Sequence, residues 1–349
     1  MNRWITLAVG TAIALGSHIG RAAEVNGPEV HWNLSFWGKP RASSTAIETI
    51  SKIVKAKTDG HFTVKIAYGG ALSKPKENLD GIKLGAFQGA VFCNFYHPGK
   101  NPTNTVLSLP FLPIGDLDVL QYVTEQVYAH PSMKRDMDRW NARTYISAVL
   151  PQYEAMGRGD PPLKLEDWKG KRVRAGGGMG EAMKLLGATK MTVPAPETYT
   201  MLDRGTVDAI TFPFTYAFAA YKFDEVSSWF TTNLSLGTAD CPIVFNKDAY
   251  AKLPPQYKQL LEEVKPQAYA AVKKAYRDID KKNLPAFKKE MKAITYTEEE
   301  LARFRKAGGR PVWDAWVKKW EGRIPAQEIL DLVLNAAAEG AKLKKEGKL

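Results

Sequence analysis

Apolar and polar positions alternate in "VHWNLSFW" (30–37), and the period of two predicts a strand. The next segment, "TAIETISKIVKAKTDG", changes period. Ile47, Ile50, Ile53 and Val54 share one face of a helix that Gly60 closes. "HFTVKIAYGG" returns to alternation through Phe62, Val64, Ile66 and Tyr68, which predicts a second strand. "PKENLDGIKLGAF" predicts a helix with Leu79 and Ile82 turned inward. "GAVFCNFY" is apolar almost throughout, the pattern of a strand covered on both faces. The order strand, helix, strand, helix, strand implies a parallel sheet with helices packed on it.

That order returns near residue 170. "GKRVRA" predicts a strand, "MGEAMKLLGA" a helix ended by Gly187, and "KMTVPA" a strand. "PETYTMLDRG" then predicts a helix ended by Gly205, and "TVDAIT" a strand. No repeat is visible at the level of residues; what recurs is topology. Two such units predict a two-lobed α/β fold, each lobe a sheet flanked by helices, with a cleft where strand ends meet. The last third is mainly helical. "PPQYKQLLEEVKPQAYAAVKKAYRDIDKKNLPAFKKEMK" is long and amphipathic, and Pro266 and Pro285 are expected to bend or break it. Thr297 is placed to cap the helix of "TYTEEELARF", with acids in its first turn.

Composition adds an address. The 349 residues are 44% hydrophobic and 25% charged, a globular balance. The N-terminus differs: Arg3 precedes the apolar run "ITLAVGTAIALG", and small residues offer cleavage after Ala22 or Ala23. This is the pattern of a secretory signal peptide over 1–23, and it predicts a soluble protein exported to the periplasm. Loss of Arg3 and Arg21 lowers the formal charge from +12 to +10. The lysines are scattered among acids and not gathered in a stripe, which argues against nucleic acid as a partner. The five histidines show no metal-ligand spacing, so neither a metal nor a cofactor is expected. Export permits a disulfide between Cys93 and Cys241, while the apolar setting of Cys93 suits a buried free thiol equally.

One stretch carries candidate chemistry. In "KRVRAGGGMGEAMKLLGA" (171–188) a strand ends at Arg174, and Gly176, Gly177 and Gly178 lead into a helix. A guanidinium offers a planar fork for a carboxylate, and backbone amides at a helix N-terminus also favour an anion. "GGGMG" lacks the flanks and the later acid of a dinucleotide fingerprint. Catalysis would require a nucleophile with a base or a placed carboxylate pair, and neither has local support. Glu154 and Asp160 lie near the predicted cleft without a signature spacing.

The run "LEDWKGKRVRAGGGMGEAMKLLGATKMTVPAPETYTMLDRGTVDAI" resembles a characteristic stretch of the solute-binding proteins of tripartite ATP-independent periplasmic (TRAP) transporters, the dicarboxylate-binding type. Asp167, Lys169, Gly170, Arg174, Leu186, Gly187, Ala188, Glu197, Tyr199, Leu202, Gly205, Val207 and Asp208 fall in matching places. "AKTDGHFTVKIAYGGAL", "LPFLP", "YKFDEVSSWF" and "IVFNKDAYAKLPPQYKQLLEE" extend the resemblance over nearly all of the mature chain. It implies a two-lobed binding protein that captures an organic acid by lobe closure and delivers it to TRAP membrane subunits. A ligand-sensing partner of a receptor and a periplasmic enzyme on a similar scaffold are the alternatives. The first lobe is expected over 24–150 with about 240–275. The second is expected over 151–239 with about 276–349, and a long C-terminal helix braces both. Arg174 falls on the arginine that pairs with the ligand carboxylate in this family. Arg172 is expected to be structural or solvent-facing.

Departures from the family pattern bear on the ligand. Phe212 stands where an asparagine is frequent, and Ala195 where some members carry phenylalanine. Glu154 stands where sialic-acid-type members carry a second basic residue, leaving Gln152 and Tyr153 as candidate hydrogen-bond donors. Trp37 and Asn94 lie at strand ends of the first lobe that face the cleft, and Trp37 reads equally as core. Gly176 and Gly177 supply amides; Phe214 is pocket or core, and Tyr216 and Phe218 are core. The implied ligand is a monocarboxylate with an apolar or aromatic body, or a 2-oxo acid.

Overall fold

The computed structural model describes residues 24–349, so the signal-peptide expectation over 1–23 lies outside the described residues. The strands are β1 (Val30–Ser35), β2 (Phe62–Ala67), β3 (Gly89–Val91), β4 (Ala142–Ile146), β5 (Tyr153–Gly157) and β6 (Arg172–Arg174). They continue as β7 (Thr189–Met191), β8 (Ala209–Pro213), β9 (Trp229–Thr231), β10 (Ile243–Asn246) and β11 (Lys292–Ile294). Two sheets result, in the orders β2-β1-β3-β10-β4 and β11-β9-β5-β8-β6-β7. Each βαβαβ unit foreseen from periodicity forms, with β1 parallel to β2 and β3, and β6 parallel to β7 and β8. Neither sheet is wholly parallel. β10 runs antiparallel to β3 and β4, and β5 antiparallel to β8 and β9. These two strands follow the chain's crossings between sheets, over 147–152 and 232–242, and enter their new sheet in the reverse direction.

A third crossing is the helix Lys265–Glu290. At 1.5 Å per residue its 26 residues span about 39 Å. It packs on helix Thr45–Lys57 beside the first sheet and on Phe214–Ala220 beside the second. The break foreseen at Pro266 occurs, between helix Pro255–Glu263 and this one, and the break foreseen at Pro285 does not. Pro266 sits in the first turn, where its missing N–H would have had no partner, and the helix continues through Pro285 to Glu290. Thr297 caps as foreseen, its hydroxyl accepting the Glu300 N–H at 3.2 Å. The last helix, Ala326–Lys345, packs on Leu117–Ala129, which precedes β4. Grouping all of 276–349 with the second lobe therefore fails for this helix.

One continuous apolar core runs through both lobes and the contact between them. Ile47, Ile50, Val54, Phe62 and Val64 take the buried positions their periods assign. Cys93 and Cys241 form a disulfide, which decides between the two readings of these thiols. Among the described residues no helix is long and apolar enough to cross a membrane.

Candidate functional site

The two lobes meet around a small cavity of about 30 Å³, room for a water or two at most. The first lobe supplies Phe36, Trp37, Arg41, Phe95 and Tyr96 to its wall. The second supplies Tyr153, Arg174, Phe212, Tyr216 and Tyr221, and the Cys93–Cys241 bridge closes one side.

β6 delivers Arg174. Arg172 and Arg174 share a strand face, yet their surroundings differ. Arg172 is exposed and pairs with Asp208, while Arg174 is only 1% exposed. Its Nε and Nη2 donate to the Val193 carbonyl at 3.2 and 2.8 Å, and Nη1 donates to the Thr211 carbonyl at 3.1 Å. Nη2 also reaches the Tyr96 hydroxyl at 3.4 Å. All of these acceptors are neutral, and among the described residues no acidic side chain pairs with this guanidinium. Burying a charge this deeply costs several kcal/mol without a counter-ion. The Phe212 ring lies 4.2 Å from the guanidinium carbon and holds it flat.

Tyr96 is a junction. Its oxygen accepts from the Ala195 N–H at 2.9 Å as well as from Arg174, which leaves its own proton free to donate. Burial raises the pKa values of Tyr153, Tyr216 and Tyr221, so these hydroxyls stay neutral. The charges on the wall are therefore the two guanidiniums of Arg41 and Arg174, with no carboxylate among the lining residues.

Of the residues singled out in the sequence, Arg174, Phe212, Trp37 and Tyr153 come together here. Five do not. The Asn94 amide is spent locally, donating to the Asn104 carbonyl at 2.9 Å and accepting the Phe95 N–H at 2.8 Å. Gln152 donates to the Ile114 carbonyl at 3.3 Å, away from the cavity. Gly176 and Gly177 make room for the other lobe and do not face the cavity. A Cβ on Gly176 would lie 2.4 Å from the Phe95 ring, and one on Gly177, at φ +55°, 2.6 Å from the Ser108 hydroxyl. Phe214 turns aside, its ring edge-on to Phe218 at 6.3 Å. Tyr216 is core, as foreseen, and also lines the cavity, together with Arg41 and Tyr96, which periodicity does not mark. Arg41 follows a strand end in "SFWGKPR", the same placement as that of Arg174.

Glu154, next to Tyr153, points away from the cavity into the second crossing. It accepts from the Thr231 hydroxyl at 2.5 Å and from the N–H groups of Leu234 and Ser235 at 2.9 and 2.8 Å. Burial outweighs these bonds and pushes its pKa from 4.5 up to about 7. Between those values the folded protein keeps a proton that the unfolded chain releases. Glu154 therefore lowers stability as pH rises through that window, by on the order of 3 kcal/mol. His97 works in the opposite direction, because burial lowers its pKa from 6.5 to about 4. Glu154→Gln abolishes only the first effect. Relative to this variant, the wild-type melting temperature is expected to fall steadily from about pH 5 to about pH 8. Parallel pH profiles would show that Glu154 does not titrate in this range.

Residues 36–319 match the model for the bacterial extracellular solute-binding protein family 7. The chain belongs to this family. Similar proteins include a monocarboxylate 2-oxoacid-binding periplasmic protein of Nostoc sp., 24% identical over 258 residues, which are 67% of this chain and 65% of that protein. A solute-binding protein of Verminephrobacter eiseniae is 26% identical over 216 residues, 60% of this chain and 62% of that one. The chain thus spans a little under two thirds of the length of both curated relatives. Among solved structures, a TRAP solute-binding protein of Rhodoferax ferrireducens in complex with copurified benzoate superposes with a TM-score of 0.82 at 17% identity. That match covers 90% of this chain and 99% of the other. The two-lobed fold of family 7 and the resemblance noted in the sequence are both upheld.

Proposed function

We propose that this protein binds an organic carboxylate between its lobes and delivers it to TRAP membrane subunits for uptake. The observation that carries the reading is Arg174, a fully buried guanidinium on the wall of an aromatic cavity between two lobes, with no acidic partner among the described residues. A carboxylate would take the remaining N–H of Nη1 and the one now loosely held by Tyr96, while the Tyr96 proton donates to its second oxygen. The walls suit a flat apolar or aromatic body, or a small 2-oxo acid. The name of the Nostoc relative and the benzoate in the Rhodoferax structure agree with that class. Binding without turnover fits a wall that carries no histidine and no carboxylate, and whose cysteines are bridged.

The chain segments 147–152 and 232–242 are the hinges of this reading. The first lobe takes 24–150 and about 240–275, and the second 151–239 and the residues from about 276 to the end of β11. A leader over 1–23 would direct export. The cavity admits a ligand only when the lobes part, so the ligand-free protein is expected to open in solution and to close on the bound acid. Small-angle scattering tests this. Saturating benzoate or pyruvate, whichever binds, should reduce the radius of gyration, and an unchanged radius at saturation would rule out closure.

A further inference from the structure

Arg41 is the second cation on the cavity wall, and it comes from the opposite lobe. It follows β1 and starts the short turn Ala42–Ser44. Its Nε donates to the Ser43 hydroxyl at 3.1 Å and its Nη1 to the Lys39 carbonyl at 3.2 Å. Among the described residues no acid pairs with it. Glu48 of the adjoining helix accepts the hydroxyls of Ser44 and Tyr68 on its Oε1, at 2.6 Å each, and forms no ion pair with Arg41. The guanidinium carbon lies 4.7 Å from the Trp37 ring centre and 5.1 Å from that of Phe36. It also reaches across the cleft to Tyr221, at 5.4 Å. Gly38 makes this placement possible, since a Cβ there would fall 1.6 Å from Nη1.

The aromatic rings connect the two cations. Arg41 caps Tyr221, Tyr221 packs on Phe212 at 5.7 Å, and Phe212 packs under Arg174 at 4.2 Å. A flat ligand lying along this row meets one guanidinium at each end. With no acid on the wall, a monoanion paired with the buried Arg174 leaves the half-buried Arg41 without a counter-ion, and a second anionic group on the ligand supplies one.

We infer that Arg41 is a second ligand-binding cation and sets specificity, selecting a planar acid that carries a second acceptor group, best an anionic one, at the end remote from Arg174. This rests on the carboxylate-capture reading above and narrows its substrate class. It also separates two roles for Arg41, since a residue that only latches the lobes by stacking on Trp37 and Tyr221 would favour every ligand alike.

Calorimetry with benzoate, isophthalate and terephthalate tests the inference on the wild type, Arg41→Met, Arg41→Lys, Gly38→Ala and Arg174→Met, with melting curves to confirm that each variant folds. At least one dicarboxylate should bind the wild type more tightly than benzoate. Arg41→Met should weaken that dicarboxylate about 10- to 100-fold, the range for a charge-assisted hydrogen bond, and benzoate less than about threefold. Arg41→Lys should recover part of the loss. Gly38→Ala should shift selectivity in the same direction as Arg41→Met by displacing the guanidinium. Equal losses for the mono- and dicarboxylates, an unchanged selectivity, or wild-type preference for benzoate over both dicarboxylates would overturn the role of Arg41. The carboxylate reading survives those results if Arg174→Met still abolishes benzoate binding. If none of the three acids binds the wild type, the role of Arg41 falls, and the carboxylate reading falls with it only if pyruvate also fails to bind.

Discussion

Arg174→Ala is expected to abolish carboxylate binding, and Arg174→Lys to restore only a fraction of it. The guanidinium is buried, already oriented by the Val193 and Thr211 carbonyls, and has no acidic partner among the described residues. A ligand carboxylate therefore meets a charge whose desolvation and ordering occurred during folding. Removing one member of such a buried pair costs on the order of 3–5 kcal/mol, which is a loss of affinity of a few hundredfold or more. Lysine keeps the charge but presents a single point and not a fork, so it cannot hold two carboxylate oxygens and the two carbonyls together. Calorimetry on folded variants checks this. An alanine variant that loses less than tenfold would remove Arg174 from the site.

Loss of the Cys93–Cys241 bridge should be the largest stability effect. The bridge closes a loop with a sequence separation of 148, and in the chain-entropy account a loop of this size contributes about 4–5 kcal/mol. It joins the residues beside the β3–β10 pairing and anchors the end of the second crossing to the first lobe. Reductant should lower the wild-type melting temperature by roughly 5–15 °C and leave a Cys93→Ser/Cys241→Ser double variant unchanged. Equal melting of wild type with the bridge intact and reduced, reduction being verified by mass, would contradict this.

What the sequence revealed depended on whether the signal was local. The two βαβαβ units were legible because period 2 and period 3.6 alternate cleanly in them, and Arg174 stood out as a cation at a strand end. Strand direction was not legible. Neither β5 nor β10 is marked by alternation, since both are short and buried at every position, and only the crossings between sheets make them antiparallel. Asn94 misleads because its partner is the Asn104 carbonyl, in the short 3-10 helix Thr103–Ser108, which the apolar pattern does not mark. Gly176 and Gly177 show how one local pattern serves two ends. Glycines before a helix suit an anion, and they equally clear space for Phe95 and Ser108 from the other lobe. Tyr96 ends the short 3-10 helix Asn94–Tyr96 and is placed by packing between lobes, so no neighbour in the chain marks it, whereas Arg41 carries the local signal of a cation after a strand end.

The central claim is that a carboxylate is the group recognised. It is tested most directly by thermal shift with each acid paired against its own amide, as in benzoate with benzamide and pyruvate with pyruvamide. An acid that binds should, at a hundred times its dissociation constant, stabilise the protein by about 2.7 kcal/mol, while its amide leaves the melting temperature unchanged. Equal shifts from acid and amide, or shifts from uncharged sugars or amines alone, would contradict the account.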